Sequence, residues 1–131
     1  MKKSNIKLAK EWFGMAEGDY ISAKVVLREK GYYGTSCFLA QQIVEKYLKG
    51  YLVASGKEIL KIHDLIKLLN ECREVDKDFL ELEKEVIYLN DYYIETRYPM
   101  DFPIDYKKND AKKAVESAER VINFVLNKLG I

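Results

Sequence analysis

The sequence predicts an all-α protein, an up-and-down bundle of four long helices and one short helix. Three observations carry this. Apolar residues recur at helical spacing through four long stretches. No stretch alternates with the period of two that a half-buried strand requires. The prolines, Pro99 and Pro103, fall together in one loop, so the rest of the chain lacks the strongest helix breaker. A chain of 131 residues fits a single domain spanning residues 1–131 and is long enough to bury a core without staples.

The first helix is expected from about Asn5 to Glu29. Ala9, Trp12, Phe13, Ala16, Tyr20, Ala23 and Leu27 form its apolar stripe, and Gly31 is expected to end it. The second runs from about Tyr33 to Ala54. Cys37, Ala40, Val44, Tyr47, Leu48 and Tyr51 make one face, and Gln42, Glu45, Lys46 and Lys49 the polar face opposite. Phe38 and Leu39 fall on or near the polar side, as expected of a helix that is central or at an interface. A short third helix, capped by His63 or Asp64, carries Leu65, Leu68 and Leu69 and ends near Cys72. The fourth is expected from Asp76 to Thr96, with Phe79, Leu82, Val86, Leu89 and Tyr93 inward and Arg97 on the same face if it runs one turn further. Tyr98 to Pro103 must then be extended or turned, because residues before proline avoid the α region. The last helix starts near Asn109 or Asp110, both good N-caps, and runs to about Leu129. Ala111, Ala114, Val115, Ala118, Val121, Ile122, Val125 and Leu129 lie on its inner face.

Charge and composition restrict the chemistry. Lys and Arg total 22 and Asp and Glu 21, so no global basic field holds nucleic acid and any anion site must be local. Cys37 and Cys72 are far apart, outside any CxxC pair, and read as small reduced apolar residues. With one histidine, His63, the chain offers too few ligands for a zinc site, and no cofactor or metal is expected. No secretory signal opens the sequence, and no stretch reaches the ~20 apolar residues that span a bilayer. The expected setting is the reducing cytoplasm. Phosphate-binding loop, dinucleotide-binding and HExxH motifs are all missing.

Three constellations carry polar chemistry. Gln42, Glu45, Lys46 and Lys49 form either a solvated face with i, i+4 charge support or a groove where the two lysines meet phosphate. His63-Asp64 is either a helix cap or the place where the one side chain with an ordinary pKa near neutrality works as acid and base. Arg97-Tyr98-Pro99 with Asp101 is either a buried Arg–carboxylate pair pinning the proline loop or an anion-reading Arg beside an aromatic that stacks on a base.

Taken together, Trp12, Asp19-Tyr20, Gly31-Tyr32-Tyr33, the run Phe38-Leu39-Ala40-Gln41-Gln42 followed by Glu45-Lys46 and Leu48-Lys49, His63-Asp64-Leu65 and Thr96-Arg97-Tyr98-Pro99 resemble the HEPN domain family over nearly the whole chain. The resemblance implies a dimeric helical bundle. It also implies, as in many members, a small nucleotidyltransferase as partner in a toxin–antitoxin pair or two-component enzyme. Ribonuclease members carry an Arg followed four to six residues later by a His at the dimer cleft. Here Asp101, Phe102 and Pro103 stand at that spacing from Arg97.

The expectation is therefore a homodimer that binds nucleotide or RNA through Arg97, Tyr98, Asp101, His63, Asp64 and the helix-two polar face, without a membrane, with Phe38 and Leu39 at its two-fold interface. One alternative is a metal-independent ribonuclease toxin of degenerate motif, with Arg97 as phosphate clamp and His63 as acid–base. Another is a purely structural dimer. An open cleft shared by Arg97 and His63 would favour the enzyme, and an Arg97 sealed against a carboxylate the structural dimer.

Overall fold

The computed structural model describes residues 1–101 and 104–131. Phe102 and Pro103, part of the segment expected to be turned, lie outside the described residues. The chain is a helical bundle with no strand among the described residues. Its helices are α1 (Lys3–Arg28), α2 (Tyr33–Ala54), α3 (Leu65–Val75), α4 (Glu83–Asn90), α5 (Tyr92–Glu95) and α6 (Lys108–Leu129), with a 3-10 segment, Lys77–Leu82, ahead of α4.

Helix α2 is the axis of the bundle. It packs against α1, α6 and α3, and its C-terminal half, from Tyr47 to Ala54, is buried on every side. The expected polar face of α2 is the main correction to the sequence reading. Glu45 and Lys49 are buried, 4% and 6% exposed, and Gln41 is fully buried. A helix at the centre has no solvated side, so its polar residues must find partners inside the protein. Gly50 explains how α1 comes so close: a Cβ there would sit 2.4 Å from the Phe13 ring, which stacks on Tyr47 at 4.6 Å.

The inner stripes of α1, α3 and α6 fall where the periodicity places them. Ala9, Phe13, Ala16 and Ala23 are buried from α1, Leu65, Leu68, Leu69 and Cys72 from α3, and Ala111, Ala114, Val115, Ala118, Val121 and Val125 from α6. The ends differ in detail. Helix α1 closes through Lys30, which takes the left-handed conformation (φ 55°), and Gly31 follows, its N–H bonded to the Val26 carbonyl at 2.8 Å. Helix α6 begins at Lys108, and Asp110 acts from inside its first turn by accepting the Lys107 N–H at 2.9 Å. Cys37 and Cys72 are buried free thiols, and burial pushes Cys37 up to about 12.

The expected fourth helix covers its span in three pieces. Asp76 accepts the Asp78 N–H and starts the 3-10 segment, α4 follows, and Asp91 interrupts the helix before α5. At that break Asn90 turns its side chain to accept the Leu65 N–H at 2.8 Å, tying the end of α4 to the start of α3. The interruption shifts the helical phase by one residue. Tyr92, rather than Tyr93, enters the core, and its hydroxyl donates to Tyr88, which in turn donates to the Asp110 carbonyl. Tyr93 is left half-buried, and Arg97, expected on the inward stripe, is exposed in the turn after α5.

Candidate functional site

The site is assembled from the polar residues of α2, the loop before α3 and the turn after α5. Glu45 is its anchor. One carboxylate oxygen faces the His63 Nδ1 at 2.9 Å, and the other accepts from the Lys49 ammonium at 3.1 Å. An ionised carboxylate only accepts, so Nδ1 carries a proton and Nε2 is the ring nitrogen left for a ligand. One turn earlier on α2, Gln41 donates to the His63 backbone carbonyl at 3.1 Å and accepts from Gln42 at 2.8 Å. His63 is thus fixed at ring and backbone while half of its side chain stays open.

The His63 ring lies flat on the Tyr93 ring, with centroids 4.1 Å apart and planes 14° from parallel. The Arg97 guanidinium sits against the same Tyr93 ring at 4.7 Å, with Tyr98 at 5.6 Å and Phe38 at 5.7 Å. Among the described residues no carboxylate pairs with Arg97. A guanidinium held by aromatic faces keeps its planar fork of N–H donors unspent, the geometry that suits phosphate.

Two open hollows flank α5. His63, Asp64, Asn90, Asp91, Tyr93 and Ile94 line one of about 310 Å³. The other, about 380 Å³, holds Arg97, Tyr98, Glu95, Tyr32 and Tyr106 among its walls. Burial and then the nearby Asp91 charge push the Glu95 carboxyl above its ordinary range. The Tyr106 hydroxyl is buried without a hydrogen-bond partner among the described residues, and burial pushes it up to about 12.

Of the residues singled out in the sequence, the structure brings His63 and Arg97 to the Tyr93 ring, with Tyr98 beside Arg97 and with Glu45 and then Lys49 behind His63. Asp64 is the N-cap of α3, its carboxylate accepting from Ile66 and Lys67. Lys46 pairs with Asp19, which joins α2 to α1. Lys49 lies between Glu45 and the Trp12 ring, 5.8 Å away. Both lysines therefore have carboxylate partners, and neither offers the bare ammonium of a phosphate groove. Gln42 reaches the site only through Gln41. Asp101 is exposed and absent from both hollows. Phe38, expected at a two-fold interface, packs within the chain on Tyr93 at 6.2 Å. Sequence reasoning passed over Tyr93 as a platform, because its periodicity read as core, and Gln41, whose burial depends on α2 being central.

The arrangement defines a class: a small helical bundle presenting a cation, a histidine and aromatic faces at one surface, with donors for an anion and rings for a base. The HEPN domain pattern matches residues 9–129, and the chain belongs to the HEPN family. A Methanocaldococcus jannaschii protein named "Putative toxin MJ1304" is 30% identical over 135 residues, covering 92% of this chain and 88% of that one. Among solved structures, TT1696 from Thermus thermophilus superposes with a TM-score of 0.78 at 30% identity, covering 92% of this chain and 97% of its own. ST0689, an archaeal HEPN homologue, superposes with a TM-score of 0.72 at 27% identity and covers 98% of each chain. No helix of the structure is long and apolar enough to cross a membrane.

Proposed function

We propose that this chain is a toxin-like HEPN module that binds RNA, with Arg97 holding phosphate and Tyr98 stacking on a base beside it. The observation that carries the reading is the Tyr93 ring, against which an unpaired Arg97 and a half-open His63 both rest. An Arg retained only for structure would be sealed against a carboxylate, and this one is exposed. Glu45, Gln41 and Lys49 serve the site by fixing His63. The module acts as a homodimer with a small nucleotidyltransferase as its partner. The HEPN membership supports both, and so do the apolar side chains exposed around the site, Ile94, Tyr98, Met100 and Ile104.

The test is a titration of labelled oligouridylate into the wild type and Tyr93→Leu. Loss of the ring releases both Arg97 and His63, so RNA affinity should fall at least tenfold while the circular dichroism spectrum is retained. Unchanged affinity in a folded variant rejects the reading.

A second reading, RNA cleavage, draws on the contact of both His63 and Arg97 with the Tyr93 ring, although the two line separate hollows rather than one shared cleft. The 2′-hydroxyl would attack the adjacent phosphorus while Nε2 of His63 takes its proton. The 5′-oxygen then leaves with a proton from water, giving a 2′,3′-cyclic phosphate, and Arg97 holds the charge that develops on the phosphate. Incubation of RNA with the protein in excess chelator should yield that cyclic end, and His63→Gln should abolish it. Intact RNA confines the protein to binding.

A further inference from the structure

A second hollow, about 400 Å³, lies between the C-terminal part of α1 and the start of α6, and its walls are Lys24, Leu27, Arg28, Lys108 and Lys112. Four of these five residues are cations, in a chain whose net charge is only +1. The charge is therefore concentrated here by the fold. Of the lining cations, Arg28 pairs with Glu29 at 3.1 Å, an exposed pair that a stronger anion can displace, while Glu119 accepts from the Tyr20 hydroxyl and Asp110 from the Lys107 N–H. Lys24 lies over the Tyr20 ring at 4.0 Å, while Lys108 and Lys112 have no ion-pair partner among the described residues.

This groove and the Arg97 hollow are linked along the chain through Tyr32 and Tyr106. Tyr32 and Tyr106, which help to wall that hollow, meet edge to face at 6.1 Å. Tyr32 follows Arg28 across the turn after α1, and Tyr106 precedes Lys108 by two residues, a span of at most about 7 Å. Gly34 lets the pair close over the start of α2, since a Cβ there would meet the Tyr32 ring at 2.5 Å and the Tyr106 ring at 2.8 Å. Tyr32 is 63% exposed, so an aromatic ring is open between Arg97 and the four cations of the groove. Alternating cations and aromatic faces are what a single nucleic-acid strand needs, with phosphates on the charges and a base on the ring.

We infer that an RNA strand engaged at Arg97 continues past the Tyr32–Tyr106 pair into this groove, where Lys24, Arg28, Lys108 and Lys112 take its phosphates. The inference rests on the RNA reading of Arg97 and extends the contact from one phosphate to several. It is tested on the full chain with two oligouridylates, of about three and about fifteen nucleotides, titrated at stepped KCl from about 50 mM upward. The triple variant Lys24→Gln, Lys108→Gln, Lys112→Gln changes exposed residues only. The wild type should bind the longer probe at least tenfold more tightly than the shorter one. The triple variant should lose at least tenfold for the longer probe and none for the shorter. Its log–log salt slope should fall by about 2, given about 0.7 per single-strand phosphate contact. An unchanged slope and affinity in the triple variant overturn the groove, and so does a wild type that binds the two probes alike or not at all. If the triple variant loses the longer probe while Arg97→Ala binds the shorter one normally, the groove stands and the Arg97 reading falls.

Discussion

Replacing Glu45 by alanine is expected to cost about 3–5 kcal/mol of folding stability, a large part of what holds a domain of this size together. The carboxylate and the Lys49 ammonium bonded to it are both buried, with side chains only 6% and 7% exposed. Truncating Glu45 leaves Lys49 as an uncompensated charge next to Trp12 in the middle of the bundle. It also releases the His63 ring, so the loop before α3 loses a tether to α2. Two variants separate these effects. Glu45→Leu with Lys49→Met replaces the pair by apolar side chains of similar size and should recover most of the lost stability, because a buried pair is close to neutral against a well-packed apolar replacement. It should not restore RNA binding, because His63 still lacks its carboxylate. Urea unfolding of the single and double variants gives the numbers. A single variant within about 1 kcal/mol of wild type would mean that the pair is already hydrated in solution.

Arg97→Ala should reduce RNA affinity at least tenfold and leave stability almost unchanged. The side chain is exposed and rests on Tyr93, Tyr98 and Phe38 without a carboxylate partner, so its removal strands no buried charge. What is lost is a charge-assisted contact to phosphate and a cation–π contact of about 0.5–1 kcal/mol. Arg97→Lys is the more discriminating change. It keeps the charge but loses the planar fork that presents parallel N–H groups and lies flat on a ring. A phosphate clamp should therefore stay weakened with lysine, whereas a general electrostatic attraction should be nearly restored. Thermal unfolding and RNA titration on both variants are required together. Wild-type binding by Arg97→Ala removes Arg97 from the site, and unfolding of that variant would show it to be structural after all.

The fold was legible because the inner stripes of α1, α3 and α6 are set by side-chain period alone. Ala9, Phe13 and Ala16, or Ala114, Ala118, Val121 and Val125, have one possible inside. Two features were not legible. The break at Asp91 depends on Asn90 reaching back to the first turn of α3, a contact between residues 25 positions apart, and no local pattern announces it. That break turned Tyr93 and Arg97 outward and Tyr92 inward. The second is the centrality of α2. From sequence, Glu45 and Lys49 look like an ordinary surface i, i+4 pair. Only the packing of α1, α3 and α6 around α2 makes them a buried pair that positions a histidine. Apart from Tyr93 and Gln41, the residues of the site were therefore visible in the sequence, but the roles of Lys46, as a link from α2 to Asp19 of α1, and of Asp64, as a cap, became clear only from their partners.

The central claim is that the Tyr93 ring and the two groups resting on it form the surface that meets RNA. Heteronuclear NMR of the uniformly labelled full chain, titrated with oligouridylate, tests it most directly, because every backbone amide reports separately. The amides of His63, Tyr93, Arg97 and Tyr98 should shift first and furthest, with those of the α1–α6 groove joining only for the longer probe. Saturable shifts that leave those four residues unmoved, or none at all at millimolar RNA, would contradict it.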